Sequence, residues 1–113
     1  MSIVDDTATI NDKLSDWIIN TSPPAGDAAA QAQMQQAVAL HRQLDQLITR
    51  AQLIDLQEQG KALELLEAKQ GALVATLKDR INRTTDGIAQ AEAIISIAAQ
   101  AVAIIVQVAA LAA

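Results

Sequence analysis

Side chains able to move a proton, hold a metal or attack a carbon atom are few in this chain, and they are scattered. His41 is the single histidine, and Cys and Tyr are absent. Thiol nucleophiles, thiolate metal sites and disulfides are therefore excluded together. His41 falls beside the line of Leu40, Leu44 and Leu47 and is expected to face solvent. Glu64 and Glu67 lie three apart on one helix face, a spacing that could pair two carboxylates, but Lys61 stands one turn earlier. That mixture reads as a solvated face with weak ion pairs. A zinc or di-metal site needs a second cluster of ligands, and the sequence offers neither that nor a Gly-rich phosphate loop. No catalytic, cofactor-binding or metal-binding residue is assigned, and the chain is expected not to be an enzyme.

Non-covalent recognition is better represented. Trp17 is the only aromatic residue, and with Leu14 and Ile18 it shares one face of a short helix ahead of a Pro-Pro pair. Such a group could anchor a partner's groove or supply the chain's own core with its one large ring. At the other end, no charged residue occurs from Ala93 to Ala113. Ile88, Ala91, Ile95, Ala98, Val102, Ile105 and Ala109 recur there at alternating spacings of three and four, a heptad seam of large and small residues expected to form an assembly interface. Ser96, Gln100 and Gln107 fall on a narrow polar stripe of the same helix.

The elements that must carry these residues are helical. Ala, Gln, Leu and Ile dominate a chain of 113 residues that is 51% hydrophobic but only 1% aromatic, a composition that favours helix over strand. Residues 1–8 are acidic, unpatterned and expected to fray. Ile10, Leu14, Trp17 and Ile18 predict a short amphipathic helix over about 10–20, with Thr9 and Asp12 as its capping box. Thr21-Ser22-Pro23-Pro24-Ala25-Gly26 ends it, because proline removes donors and drives its predecessor out of the α region. Residues 1–26 thus form an acidic N-terminal arm with a hinge, and 27–113 an α-helical hairpin.

Asp27 is a good N-cap, and strong helix formers continue to about Arg83. One seam is Leu40, Leu44, Leu47, Ala51 and Ile54; a second, out of phase with it, is Leu63, Leu66, Gln70, Leu73 and Leu77. A single continuous helix is the preferred reading, with a bend near Gly60 as the alternative. A turn is expected near 82–87, where cations give way to Asp86 and Glu92 and Thr84 or Thr85 can cap. The expected fold is all-α: a long, coiled-coil-like hairpin with a short N-terminal amphipathic helix, assembled into an oligomer.

The net charge of −5 includes no basic patch, which argues against nucleic acid as a partner. The remaining partners are a second copy, another helical protein, or a membrane reached through residues 93–113. In composition the chain resembles the filament, needle and translocation-associated subunits of bacterial secretion machines, which implies a self-assembling structural protein. The N-terminus lacks the pattern of a cleavable signal peptide, so a cytoplasmic location or a signal-less export route is expected. The alternative is a membrane-active protein. The uncharged run has bilayer-spanning length, but nine Ile, Val and Leu residues supply only a few kcal/mol of insertion energy, and no aromatic or basic residues flank the run.

Overall fold

The computed structural model describes residues 2–84 and 87–112, with the exception of the Ile88 side chain. Four helices pack together: α1 (Ile3–Asn20), α2 (Ala28–Ala51), α3 (Leu56–Asn82) and α4 (Ala91–Ala109), with single 3-10 turns at Ile88–Gln90 and Ala110–Ala112 flanking α4. No strand occurs among the described residues.

The first helix starts a full two turns before the expected position. Ser2 is its N-cap, with Oγ accepting from the Asp5 backbone N–H at 3.1 Å, and Asp5 and Asp6 place negative charge on the first turn. Both features offset the unpaired N–H groups and positive dipole end of a helix. The segment expected to fray is thus capped locally, and Ile3, Asp6 and Thr7 are buried. Thr21 has extended backbone geometry and ends the helix before the two prolines, as the sequence predicts. Gly26 takes φ +91°, and Asp27 Oδ1 then accepts from the Ala30 N–H at 3.0 Å to open α2.

The expected continuous helix over 27–83 does not form. It is cut at residues 52–55 into α2 and α3, and the break falls upstream of Gly60. The Leu53 and Ile54 N–H groups donate to carbonyls three residues back, a tightening typical of a helix end, and Asp55 then caps α3 through Oδ1 to the Gln57 N–H at 2.9 Å. Asp55 followed three residues later by Glu58 is itself a capping-box pattern. The phase slip between the two leucine seams has the same origin, since each seam belongs to a different helix. The fold therefore packs four helices together, where a long hairpin with a short N-terminal helix, three helices in all, was expected.

Short connections make the helices alternate in direction. The α1–α2 pair is antiparallel, with Asn11 level with His41 and Asp45, and Ile3 and Trp17 lie level with Glu67 and Gly87, so α1 runs parallel to α3. Packing is most extensive between α2 and α4; α1 touches all three other helices, whereas α2 and α3 scarcely meet. The core contains Ile10, Leu14, Leu44, Ile48, Leu77, Ile81, Ile97, Ile105 and Val108 together with Trp17, the one aromatic ring. Buried alanines at 37, 51, 91, 98, 101 and 109 let helix backbones approach where larger residues would hold them apart. The bundle measures 52 × 24 × 16 Å.

Candidate assembly surface

The polar groups inside the bundle hold α1 in place. Asn11 Nδ2 donates to Asp45 Oδ1 at 2.7 Å, which leaves Asn11 Oδ1 to accept from His41 Nδ1 at 2.7 Å; His41 Nε2 lies 3.5 Å from Asp45 Oδ2. His41 is thus half-buried in a three-residue cluster spanning α1 and α2, a correction to the solvated position expected for it. The sequence hides this because Asn11 lies 30 residues away and looks like a surface residue. No hydroxyl or thiol adjoins the imidazole in this cluster, so the closed ring of contacts orients helices and presents no nucleophile.

On the opposite flank Lys78 Nζ donates to Asp6 Oδ1 at 2.9 Å, with Asp6 only 3% exposed, and Glu67 Oε1 accepts from the Ile3 N–H at 3.0 Å. Glu67 therefore caps α1, while Glu64 points to solvent beside Lys61. These two glutamates do not form a carboxylate pair. Among the described residues no three His, Asp or Glu side chains converge where a metal ion could bind.

Trp17 is 2% exposed and donates from Nε1 to the Gly87 carbonyl at 3.1 Å. The Gly87 N–H in turn donates to Thr21 Oγ1 at 3.3 Å. Gly87 has φ +130°, in the region that favours glycine, and this conformation lets its N–H and C=O both meet the end of α1. Leu14 is fully buried and Ile18 packs against the core. Leu14, Trp17 and Ile18, read from sequence as a possible partner anchor, are thus docked on their own bundle and are not free to bind. The turn predicted near 82–87 lies between α3 and α4, with Arg83 as the α3 C-cap; Thr85 and Asp86 fall outside the described residues.

The seam expected to form the interface divides in two. Ala91, Ala98, Ile105 and Ala109 are buried in the chain's own core, whereas Ile95 and Val102 are half-buried at its margin; the Ile88 side chain falls outside the described residues. The buried face of α4 runs through Ala91, Ile94, Ile97, Ala98, Ala101, Ile104, Ile105, Val108 and Ala109, and so takes in four residues of the seam that was expected to face other copies. A helix that is apolar around most of its circumference gives no periodic signal strong enough to choose its buried side.

Outward lie Ser96, Ala99, Ala103, Val106, Gln107 and Ala110, bordered by Gln100. Gln100 Nε2 donates to Ser96 O and Oγ, and Gln107 Nε2 donates to Ala103 O, so these amides are bound along the helix and leave their oxygens outward. Beyond Glu92 this face carries no charge. The neighbouring first half of α2 is similar, with exposed Gln31, Ala32, Gln35, Gln36 and Ala39 and no charged residue from Ala28 to Leu40. Most of the other charges lie on exposed positions of α1, α3 and the second half of α2, with Asp6 buried against Lys78. Comparison with known proteins finds no family model, no curated protein and no solved structure that matches the chain.

Proposed function

We propose that this protein is a non-enzymatic structural subunit that assembles with further copies of itself through the outward face of α4 and the adjoining first half of α2. The reading rests on one observation: on a chain whose net charge is −5, the exposed residues of α4 beyond Glu92 and of α2 from Ala28 to Ala39 are Ala, Gln, Ser and Val without charge, and these two helices pack most extensively on each other. Copies of an acidic protein repel one another, and the repulsion is least where the apposed surfaces hold none of the charge. Glutamine also suits contact between identical surfaces, since each amide has both donors and an acceptor. Small residues at Ala99, Ala103 and Ala110 permit close approach of helices, and Val106, 46% exposed, supplies a larger apolar contact on the same face. Ile95 and Val102 border it.

A second reading draws on the same helix. Ala91–Ala112 is long and apolar enough to cross a membrane, and only 44% of its most apolar window is buried in the bundle. Insertion would require α4 to leave α2, exposing the core positions of both. Self-assembly asks for no such rearrangement.

The test is sedimentation of the wild type and of Val106→Asp across a range of concentrations, alongside flotation of each with neutral lipid vesicles. Self-assembly predicts wild-type oligomers that Val106→Asp breaks down to dimers or smaller with unchanged far-UV circular dichroism, since it sets a charge in an apolar contact without touching the core. A wild type that stays monomeric at all concentrations refutes the proposal, and co-flotation with vesicles assigns α4 to the membrane.

A further inference from the structure

We infer that the leading part of α3 is a second self-association face, which pairs antiparallel with the same segment of another copy about a two-fold axis near Leu63. The inference builds on the proposed self-assembly but uses other residues. The Ile3–Glu67 hydrogen bond sets the start of α1 level with Glu67, so α3 upstream of that point runs past the helix that would cover it. Accordingly, the buried residues of α3 are Val74, Leu77 and Ile81 alone, although Leu56, Leu63, Leu65 and Leu66 come earlier. Leu63 and Leu66 turn partly toward the core, while Leu65 stands 63% exposed. An open cavity of about 500 Å³ is lined by Lys61, Glu64, Leu65 and Ala68.

The occupant follows from the order of charges. Glu58, Lys61, Leu65, Ala68, Lys69 and Ala72 are all exposed and share one helix face, with Glu64 at its edge. Glu58 and Lys69 straddle Leu63 almost evenly, and so do Lys61 and Glu64. Antiparallel superposition of two copies therefore sets Glu58 against the second copy's Lys69 and Lys61 against its Glu64, and the two-fold axis repeats both pairs. Leu65 then lies over the aliphatic stem of Lys61, and Ala68 and Ala72 leave room for the approach. A parallel, in-register pairing would instead oppose Lys to Lys and Glu to Glu. The strip is electrically balanced within an acidic chain, which makes it a surface on which a second copy is accepted.

With the axis near Leu63 the paired segments run from about residue 56 to 70, about 21 Å by helix rise, so a pair buries less than the roughly 800 Å² per partner of a standard interface. The contact is consequently weak in isolation and gains strength where α4 contacts raise the local concentration. A chain with two different self-association faces can bind two neighbours at once, so the assembly grows beyond a dimer.

The experiment measures self-association of the full chain in the Val106→Asp background, where the α4 face is disabled. Concentration-dependent dimers are expected there. Glu58→Lys and Lys69→Glu should each weaken the dimer constant about tenfold, because each reverses two symmetry-related pairs; the double variant Glu58→Lys/Lys69→Glu should restore it. All three substitutions are on exposed positions, so circular dichroism should not change. Strictly monomeric Val106→Asp up to millimolar concentration overturns the α3 face while leaving the α4 proposal intact. Dimers that ignore the single reversals, or a charge-swapped double variant that stays dissociated, also overturn it.

Discussion

Replacing Lys78 by Met probes how α1 is held. The carboxylate of Asp6 is 3% exposed, and Lys78 Nζ at 2.9 Å is its hydrogen-bond partner. Removing one member of a buried ion pair costs about 3–5 kcal/mol, because the remaining charge loses its compensation without regaining water. Two features of the site pull the expectation to the lower end of that range. Lys78 is 26% exposed, so water can reach part of the vacated space. Asp6 also lies in the first turn of α1, where the helix dipole favours a negative charge by about 0.3–1 kcal/mol.

The expected loss is thus about 3 kcal/mol, a large share of the roughly 5–15 kcal/mol that stabilises a domain of this kind. At a typical slope of about 2 kcal/mol per molar urea, the unfolding midpoint falls by about 1.5 M. Trp17 fluorescence and circular dichroism in the far UV report α1 and the whole bundle respectively, and coincidence of the two would establish a single transition. The double variant Asp6→Leu/Lys78→Met should recover most of the loss, since an apolar pair leaves no charge stranded. The reasoning fails if Lys78→Met lowers stability by less than about 1 kcal/mol, or if the double variant is no more stable than the single one.

Two further outcomes are expected from the same helix and its anchor. Thr7 is fully buried with its hydroxyl unpartnered, so Thr7→Val should stabilise the fold by about 1 kcal/mol and raise the melting temperature by about 4 °C in a calorimetric scan. Trp17→Phe keeps a ring in the core but loses the bond from Nε1 to Gly87 O; a stability loss of about 1–2 kcal/mol in urea is expected, and an unchanged midpoint would show that this bond adds nothing to the docking of α1.

Much of the architecture can be read along the chain. Two prolines, Gly26 and the N-cap Asp27 mark the α1–α2 boundary because they act through bonds within a few residues of themselves. The charge reversal around 82–87 marks the next boundary for the same reason. Asp55 with Glu58 is an equally local signal for the α2–α3 break, but continuous helix propensity on both sides masks it, and no Gly or Pro stands in residues 52–55. Ser2 is a comparable case: its capping role is legible, yet whether the first turns of α1 fray depends on burying Ile3 and bonding Glu67, 64 residues away.

The apolar character of α4 was legible in the sequence, but not which of its sides is buried. That residues 93–113 must be covered follows from composition, since an uncharged helix of Ile, Val and Ala is poorly solvated on its own. Which side of it stays exposed was decided only when α1, α2 and α3 closed around it, placing Ile105 and Ala98 inside and Val106 and Ala103 outside. The pairing of Asp6 with Lys78 and of Asn11 with His41 and Asp45 is likewise a product of packing, because no local pattern relates residues so distant in the chain. Helix content, the helix ends marked by the two prolines and by Asp27, and the distribution of charge are properties of short segments and were determined by the sequence alone. The faces that meet, the polar groups that become buried and the strips left open depend on contacts between segments, and only the tertiary structure decided them.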